Sequence, residues 1–424
     1  MNEIADIPAA ASFGALDRLL RSQLLARLDA LDHGMLVVRD ALGEHRFGRT
    51  GGDALPVVHL WIDDPSFYRA VAAQGSVGAG EAYIAGQWRC DDLVGLVRLL
   101  VRNRELLDGM EGGLARLGGW ALRSWHALRR NTREGSRRNT REGSRRNIAA
   151  HYDLGNDFFA LFLSPDLMYS SAMFASPDED LETASYRKLD AVCRKLALAP
   201  GDRVIEIGTG WGGFALHAAR HYGAHVTTTT ISREQHALAS QRVADAGLQD
   251  RVTLLLQDYR DLQGQYDKLV SIEMIEAIGA QYLDTFFGKL GSLLRPGGQA
   301  LLQAITIEDH RYVQARDSVD YIKRFVFPGS FIPSLNAMYG AKTRVSDLQV
   351  VHQEDFGLSY AYTLRAWRRR FMIRLAEVRA QGFDERFIRL WEFYLAYCEG
   401  GFLERSIGVS HVLMARPGHP SGAA

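Results

Sequence analysis

The sequence predicts an α/β protein, with a doubly wound sheet of seven strands and a smaller, mixed N-terminal domain. Apolar strand-like runs alternate with helix-like stretches from residue 203 onward, which is the βαβ pattern of a parallel sheet covered by helices. The first of these runs ends in a glycine-rich turn, 208–212, of the kind that binds ligands in Rossmann-like folds. With 424 residues, 47% hydrophobic and 24% charged, the chain is globular and long enough for two or more domains.

Predicted elements follow one another along the whole chain. In the first domain, strand-like segments lie at 36–38 and 57–62, and helix-like segments at 66–74 and 92–102. The second domain contains predicted strands at 204–207, 225–230, 252–256, 268–272 and 300–305. Two late strands complete the seven, near 349–353 and 406–414.

Changes in composition divide the chain into a first domain (1–128), a linker (129–147) and a second domain (148–416). The linker contains Asn-Thr-Arg-Glu-Gly-Ser-Arg-Arg twice in succession and no apolar residue, so it cannot bury a face. Its excess of arginine would hold an anionic membrane, or it is only a duplicated soluble spacer. The amphipathic stretch before it, 113–128, suits either an interfacial helix or docking on its own domain.

A polar and aromatic segment, 306–347, interrupts the alternation after the fifth predicted strand. Ligands of open α/β sheets bind beyond the carboxyl ends of the strands, where such an insertion lies. We therefore expect this segment to cover a substrate.

Overall composition excludes several classes of function. The 50 basic side chains balance the 50 acidic ones, so no net charge attracts the whole chain to nucleic acid. No apolar run approaches 18 residues, and the first six residues lack the features of a signal peptide. Cys90, Cys193 and Cys398 are too few for a disulfide framework or a cysteine-rich metal site. We expect a cytoplasmic protein without a nucleic-acid partner.

The glycine-rich turn carries the strongest chemical signal. Residues 202–213 read DRVIEIGTGWGG, and glycine lets the backbone adopt positive φ and approach a ligand closely. A dinucleotide site would place an acid about 20 residues further on, and 225–232 contains none. A phosphate-binding loop would need Gly-Lys-Ser/Thr, which is absent. By analogy, S-adenosylmethionine remains as the ligand, with Glu206 near its amino group.

Two other motifs do not support a site. His217 and His221 are spaced like metal ligands on a helix, but the residues between them supply neither a ligand nor a base. We interpret them as a solvated helix face and expect no metal. The serines lack the Gly-x-Ser-x-Gly pattern of a nucleophile elbow.

These motifs together resemble cyclopropane-fatty-acyl-phospholipid synthases, class I S-adenosylmethionine methyltransferases related to the mycolic acid cyclopropane synthases. The resemblance extends from about residue 75 to 414 and implies a Rossmann-like methyltransferase sheet behind a lipid-engaging first domain. The similar segments are 75–83 (GSVGAGEAY), 151–159 (HYDLGNDFF), 169–171, 208–212, 230–235, Glu276, 327–334, Tyr360 and 394–402.

The resemblance implies that a methylene group is transferred from S-adenosylmethionine to a cis double bond of a phospholipid acyl chain, forming a cyclopropane. It also implies transient contact with the inner face of the membrane and, by analogy, a homodimer. Methyl transfer to an alkene leaves a carbocation, so the pocket must exclude water. Aromatic faces stabilise such a cation, and the candidates are Tyr169, Phe174, Tyr360 and the rings of 321–331.

In the family, a bound bicarbonate removes the proton that allows ring closure. The resemblance assigns its ligands to Glu276 and Tyr360. Ser171 stands where many members have cysteine, and Gln303 where histidine is usual; glutamine cannot carry a proton. Glu273, where glycine is common, adds a second carboxylate three residues from Glu276 and is an alternative base.

The remaining predicted site residues are also transferred from the resemblance. Cys398 aligns with a cysteine regarded as an active-site residue, and we give it no covalent role. The predicted catalytic group is Cys398, Glu276, Tyr360, Gln303 and Ser171. The predicted cofactor contacts are Tyr169 and Ser170 at the methionine end, Glu206, Gly208 and Gly210 beneath it, Thr230, Ile231 and Gln235 near the ribose and adenine, and Asp258 and Tyr259 beside the adenine.

Three alternatives remain open. Because of Gln303, the first alternative is a related methyltransferase that gives a methyl-branched or methylene product from the same acyl chain. Methylation of a soluble amine or hydroxyl group is a more distant reading. A membrane- or RNA-binding protein with an inactive fold is a third, against which the intact Glu206, Gly208, Gly210 and Glu276 stand.

Overall fold

The computed structural model describes residues 13–49, 57–105 and 154–419. The predicted linker and the amphipathic stretch 113–128 lie outside these residues. The described chain forms two compact units. Unit 1 takes its residues from Met1–Thr132, Asp320–Phe325 and Leu375–Glu404, and unit 2 from Arg133–Val319, Val326–Arg374 and Arg405–Ala424.

Strands and helices are numbered in chain order. The strands are β1 (Gly34–Asp40), β2 (Gly43–Arg49), β3 (Val57–Ile62), β4 (Trp88–Cys90), β5 (Arg203–Ile207), β6 (His225–Thr230), β7 (Val252–Leu256), β8 (Tyr266–Ile272), β9 (Leu294–Ile307), β10 (Gln349–Asp355) and β11 (Ile407–Ala415). The helices are α1 (Ala15–Leu28), α2 (Ser66–Ile84), α3 (Leu93–Arg102), α4 (Asn156–Ala160), α5 (Leu181–Lys195), α6 (Gly213–Tyr222), α7 (Arg233–Asp245), α8 (Ile275–Ile278), α9 (Leu283–Leu293), α10 (Tyr312–Asp317), α11 (Leu335–Val345), α12 (Gly357–Ile373), α13 (Leu375–Ala380) and α14 (Glu385–Leu403).

Unit 1 is built on a sheet of order β2-β1-β3-β4. Helix α2 has a kink at Gly75, whose φ of 56° lies outside the helical region. The helix does not end there but extends to Ile84, beyond its predicted end. The core of unit 1 contains a cluster of aromatic rings, in which Phe393 contacts Tyr83, Trp88 and Tyr321. Large rings of this kind contribute much of the buried apolar area of a small domain.

Residues 375–404 belong to unit 1, whereas the sequence predicts them in the second domain. The reason is packing, because α14 lies against α2 and α3. Gly400 makes the close approach possible: a Cβ there would lie 2.6 Å from Cγ1 of Val97. The inserted segment is divided in the same way, since Asp320–Phe325 also belongs to unit 1.

Unit 2 confirms the predicted α/β sheet. In the described part of the chain, seven strands form one sheet of order β10-β11-β9-β8-β5-β6-β7. Strand β11 is antiparallel to both of its neighbours, and the remaining pairings from β9 to β7 are parallel. Residues 295–298 (Arg-Pro-Gly-Gly) fall within the bounds of β9, where the register against β8 shifts between Tyr266 and Lys268.

The order of the strands fixes the position of the site. From β5 the chain proceeds to β6 and β7 on one side, and then returns to β8 and β9 on the other. The carboxyl ends of β5 and β8 therefore flank a topological switch point, where open α/β sheets bind ligands. Among the described residues, no helix is both long enough and apolar enough to cross a bilayer.

We expect the substitution Gly400→Ala to destabilise the protein by about 1–3 kcal/mol, because the new methyl group would overlap Val97 in a packed core. Thermal unfolding followed by circular dichroism measures the effect. The matched control is Gly288→Ala on α9, where the nearest atom would be 3.8 Å from the new Cβ. That substitution should be neutral or stabilise by up to about 1 kcal/mol, and equal melting temperatures for both variants would contradict the packing argument.

Candidate active site

The glycine-rich turn follows β5 directly and leads into α6. Gly208, Gly210 and Gly212 have φ values of 103°, 52° and 84°, which other residues rarely adopt. A Cβ on Gly210 would meet no atom within 4 Å, so its φ, rather than crowding by the protein, favours glycine there. The turn thus leaves bare backbone beside open space, as a ligand-binding turn requires.

Glu206, near the end of β5, is buried beneath this turn. Its Oε2 accepts a hydrogen bond of 2.6 Å from Thr228 Oγ1, which lies 2.7 Å from Thr209 Oγ1. Burial raises the pKa of Glu206 to about 8, although Thr228 and the charge of Lys188 oppose the shift. A carboxyl poised in this way can accept a hydrogen bond from a ligand ammonium group when ionised.

Lys188 was not predicted. Its side chain is fully buried, and its Nζ donates a hydrogen bond of 2.9 Å to Ser170 Oγ. Burial lowers the pKa of Lys188 to about 8, against the favourable charges of Asp166, Glu273 and Glu206. The sequence contains a signal for it, because Lys188 falls on the apolar stripe of α5, where a charged side chain is unexpected.

The other predicted cofactor residues lie on β6 and β7 or just beyond them. Thr230 Oγ1 donates to Gln235 Oε1 at 2.9 Å and accepts from the Ser232 backbone N–H at 3.1 Å. Ile231, between them, is half-buried. Together with the Gln235 backbone N–H, which donates to Ser232 Oγ at 3.2 Å, these contacts fix the turn into α7.

Beyond β7, the predicted adenine contacts are engaged within the protein. The carboxylate of Asp258 accepts hydrogen bonds from Arg260 Nε at 2.8 Å and Nη2 at 2.7 Å. The ring of Tyr259 is buried and packs at 5.7 Å from Phe286 in the hydrophobic core. The roles of these two residues toward adenine stay predictions.

An aromatic group surrounds Tyr169. Its ring lies 5.1 Å from Phe159, 5.2 Å from Trp367 and 6.3 Å from Phe327. Tyr360 joins the same group through Trp367, at 6.3 Å. Phe174, also predicted to stabilise a cation, instead contacts Tyr362 at 5.8 Å. Ring faces gathered beside the switch point suit a desolvated cation.

The centre of the site is Glu273, at the end of β8. Its Oε1 accepts hydrogen bonds from the Ser171 backbone N–H at 2.9 Å and from Gln303 Nε2 at 2.8 Å. Its Oε2 accepts from the Tyr360 hydroxyl at 2.6 Å. The structure therefore brings three of the predicted catalytic residues together, around a carboxylate predicted only as an alternative base.

The backbone of Glu273 is as unusual as its side chain. Its φ of 47° lies in the left-handed region, which costs a non-glycine residue roughly 1–2 kcal/mol. Its N–H donates to the Gln303 carbonyl at 2.8 Å, which holds this conformation against the end of β9. Burial raises the pKa of Glu273, while the hydrogen bonds from Tyr360, Ser171 and Gln303 and the charge of Lys188 favour the ionised form.

Glu276 occupies a different environment. Its Oε1 accepts a hydrogen bond of 2.6 Å from the Ile305 backbone N–H, and its Oε2 is buried with no hydrogen-bond partner among the described residues. Burial and the neighbouring charge of Glu273 raise the pKa of Glu276 to about 8. Near neutral pH this carboxyl is mostly protonated, so it can donate a hydrogen bond but is a poor base.

These contacts test whether bicarbonate fits. An anion would have to bind to the hydrogen-bond donors of the site. These donors, at Ser171, Gln303 and Tyr360, all donate to the Glu273 carboxylate. A bicarbonate in their midst would have to displace that carboxylate and lie beside its negative charge, which is unfavourable in a buried site. The residues present fit a carboxylate of the protein and not an added anion.

Cys398 lies on α14 and is described with unit 1. Burial raises the pKa of its thiol, and Asp320 adds to the shift. The thiol is therefore neutral, which agrees with giving it no covalent role. Its predicted place as a lining residue of the site stays a prediction.

Comparisons with known proteins identify the family of this chain. The pattern of the family described as "Mycolic acid cyclopropane synthetase" matches residues 139–412. The tuberculostearic acid methyltransferase UfaA1 of Mycobacterium tuberculosis is 40% identical over 372 residues, which cover 85% of this chain and 84% of the relative. The cyclopropane-fatty-acyl-phospholipid synthase of Escherichia coli is 36% identical over 363 residues, covering 84% and 87%.

A solved structure extends the comparison to the fold. The mycolic acid cyclopropane synthase CmaA1, complexed with SAH and CTAB, superimposes with a TM-score of 0.60 at 28% identity. The match covers 64% of this chain and 98% of that one. Together with the family pattern, it supports S-adenosylmethionine as the co-substrate.

We expect Gly210→Ala to raise the Kd for S-adenosylmethionine at least tenfold, because a methyl group would fill the space beside the turn; tenfold corresponds to about 1.4 kcal/mol. Isothermal titration calorimetry measures the loss. The matched control is Gly201→Ala, since Gly201 also has positive φ, at 89°, and open space around its Cβ position. Both variants place alanine at a positive φ, so equal affinities for S-adenosylmethionine in the two would show that the turn is not part of the binding site.

Proposed function

Since the chain belongs to the mycolic acid cyclopropane synthetase family, we propose that it methylenates cis-unsaturated acyl chains with a base built into the protein, Glu273. S-adenosylmethionine-dependent transfer of a methyl or methylene group to lipid acyl chains is the coarser activity that family membership establishes. The observation that carries the finer proposal is the occupation of the anion-binding donors by the Glu273 carboxylate.

The proposed reaction has two steps. The π electrons of the alkene attack the methyl carbon of the sulfonium, so a C–C bond forms, the S–CH₃ bond breaks and S-adenosylhomocysteine leaves. The second alkene carbon becomes a carbocation. Glu273 then removes one proton from the new methyl group, and the electrons of that C–H bond close the cyclopropane ring.

The environment of Glu273 suits the second step. Burial removes the water that would quench the cation or solvate the carboxylate, and it raises the pKa of Glu273, which strengthens it as a base. The hydrogen bonds to both carboxylate oxygens hold it in one orientation, and fixed geometry is itself a large part of catalysis. The rings around Tyr169 would stabilise the cation between the two steps.

A second candidate product is a methylene or methyl-branched chain. Two observations favour it: the chain departs from the usual pattern at Glu273 and Gln303, and a relative named as a tuberculostearic acid methyltransferase is 40% identical. If a hydride moves from the methylated carbon to the cation before deprotonation, loss of a methyl proton gives an exomethylene group, and loss of a proton from the neighbouring chain carbon gives a methyl-branched alkene. Glu273 would serve as the base in either route.

We further propose that the acyl chains belong to phospholipids of the cytoplasmic membrane face, which the enzyme contacts transiently from the cytoplasm. A cis-unsaturated chain matches the apolar, aromatic surroundings of Tyr169 and Trp367. The homodimer expected by analogy stays a prediction.

The product is tested directly. Purified protein is incubated with methyl-labelled S-adenosylmethionine and vesicles of cis-unsaturated phospholipid, and the released fatty acids are analysed by mass spectrometry. We expect labelled acyl chains heavier by one CH₂, with a ring for the first candidate and an exomethylene or methyl branch for the second. Label confined to a head group, or no label in lipid, would refute both.

A pair of substitutions tests the internal base. Both Glu273→Gln and Glu273→Gly should lower turnover by roughly 10²- to 10⁴-fold, the usual contribution of a general base. Glycine suits the φ of 47° and opens the space of the side chain, so added bicarbonate should partly restore Glu273→Gly. The amide of Glu273→Gln still fills that space and should prevent rescue.

Calorimetric binding of S-adenosylmethionine controls for folding in both variants. Near-normal turnover of Glu273→Gln, or a requirement of the unmodified enzyme for bicarbonate, would show that Glu273 is not the base.

A further inference from the structure

A row of polar side chains crosses the sheet at the level of Glu273. Glu354 on β10 lies opposite His411 on β11, and His411 lies opposite Gln303 on β9. Gln303 in turn pairs with Ile272, the residue before Glu273. Side chains that face each other across neighbouring strands are within contact distance, so the register alone aligns this row.

Hydrogen bonds connect the row from the edge of the sheet to the base. Lys195, the last residue of α5, forms an ion pair with Glu354, and its Nζ lies 2.8 Å from Nδ1 of His411. Nε2 of His411 lies 3.0 Å from Oε1 of Gln303. Nε2 of Gln303 donates to Glu273 Oε1 at 2.8 Å and to the Ser171 carbonyl at 3.2 Å.

The chemistry of these groups permits one direction only. A lysine ammonium has donors and no acceptor, so Nδ1 of His411 must accept and the ring proton must be on Nε2. That N–H requires Oε1 of Gln303 as its acceptor, and the amide NH₂ is thereby turned toward Glu273. A flipped Gln303 would instead place its oxygen against the Glu273 carboxylate, two acceptors facing each other without a proton between them.

The surroundings of His411 keep the ring neutral. It is fully buried, with Phe356 at 4.7 Å, ring to ring. Burial lowers its pKa well below the ordinary value, and Lys195, Lys188 and His352 lower it further. A neutral ring has one donor and one acceptor, which is what the chain of hydrogen bonds requires.

We propose that Lys195 and His411 are positioning residues for the reaction, which lock the amide of Gln303 so that it donates to the catalytic carboxylate of Glu273. This inference rests on the proposed function of Glu273 as the base. Because the ammonium of Lys195 can only donate, it fixes which group donates and which accepts in each later hydrogen bond of the row.

Two substitutions of His411 separate positioning from packing. The conservative variant His411→Gln can still accept from Lys195 and donate to Gln303, so we expect turnover within a few-fold of the unmodified enzyme. His411→Leu cannot do either, and its turnover should fall on the order of 10- to 100-fold, as expected for a misplaced catalytic group. The control His225→Gln, an exposed position on β6, should leave turnover unchanged.

A kinetic isotope effect supplies the readout that a merely structural role would not move. Turnover is compared between S-adenosylmethionine carrying CH₃ and CD₃. If His411 positions the base, proton removal becomes rate-limiting in His411→Leu and the isotope effect rises, while the KM for S-adenosylmethionine stays near its original value. A loss of turnover with an unchanged isotope effect would overturn the proposal.

The tautomer is tested without any turnover. Nitrogen-15 spectra of histidine-labelled protein, with the His411 signals assigned by their absence in His411→Gln, should show a neutral ring protonated on Nε2. Protonation on Nδ1, or on both nitrogens, would overturn the inference. If Glu273→Gln proves active, the proposed function fails; if it is inactive while His411→Leu behaves normally, only the positioning role fails.

Discussion

The burial of the Glu273 carboxylate is the constraint that the rest of the site satisfies. An ionised carboxyl removed from water costs several kcal/mol unless hydrogen bonds and opposite charge compensate. Here three hydrogen-bond donors and the charge of a buried lysine offset part of that cost, and each comes from a different part of unit 2. The loop before α5, the end of β9, helix α12 and the buried side of α5 must all be in place for the charge to be tolerated. Assembly of the site therefore requires the folded sheet.

The two carboxyl groups of this region show how environment divides their roles. Glu273 accepts three hydrogen bonds from side chains and backbone, whereas Glu276 accepts one and has an oxygen without a partner. The group with more donors is the better stabilised anion, and its charge helps to keep the other protonated. The family resemblance pointed to Glu276 as the carboxylate of the site, and only the contacts show that Glu273 holds the central place.

The sheet of unit 2 could be predicted because its strands are runs of apolar or β-branched residues between clear turns; β6 and β7 match their predicted bounds. In unit 1 the strand β2 was missed because GEHRFGR has almost no apolar alternation, and β4 because it has three residues. Helix α2 was predicted too short, since Gly75 looks like an end and is a kink. His411 could not be singled out, because its partner Gln303 is 108 residues away and only the strand register brings the two together.

The left-handed backbone at Glu273 has a consequence for the physiology of such an enzyme. A protein that carries its own proton acceptor has no need to capture a dissolved carbonate species, so carbon dioxide levels in the cell would not limit its rate. The left-handed φ at this residue costs some folding stability. Because glycine adopts the same backbone conformation without strain, loss of this one side chain would remove the internal proton acceptor and leave the turn intact.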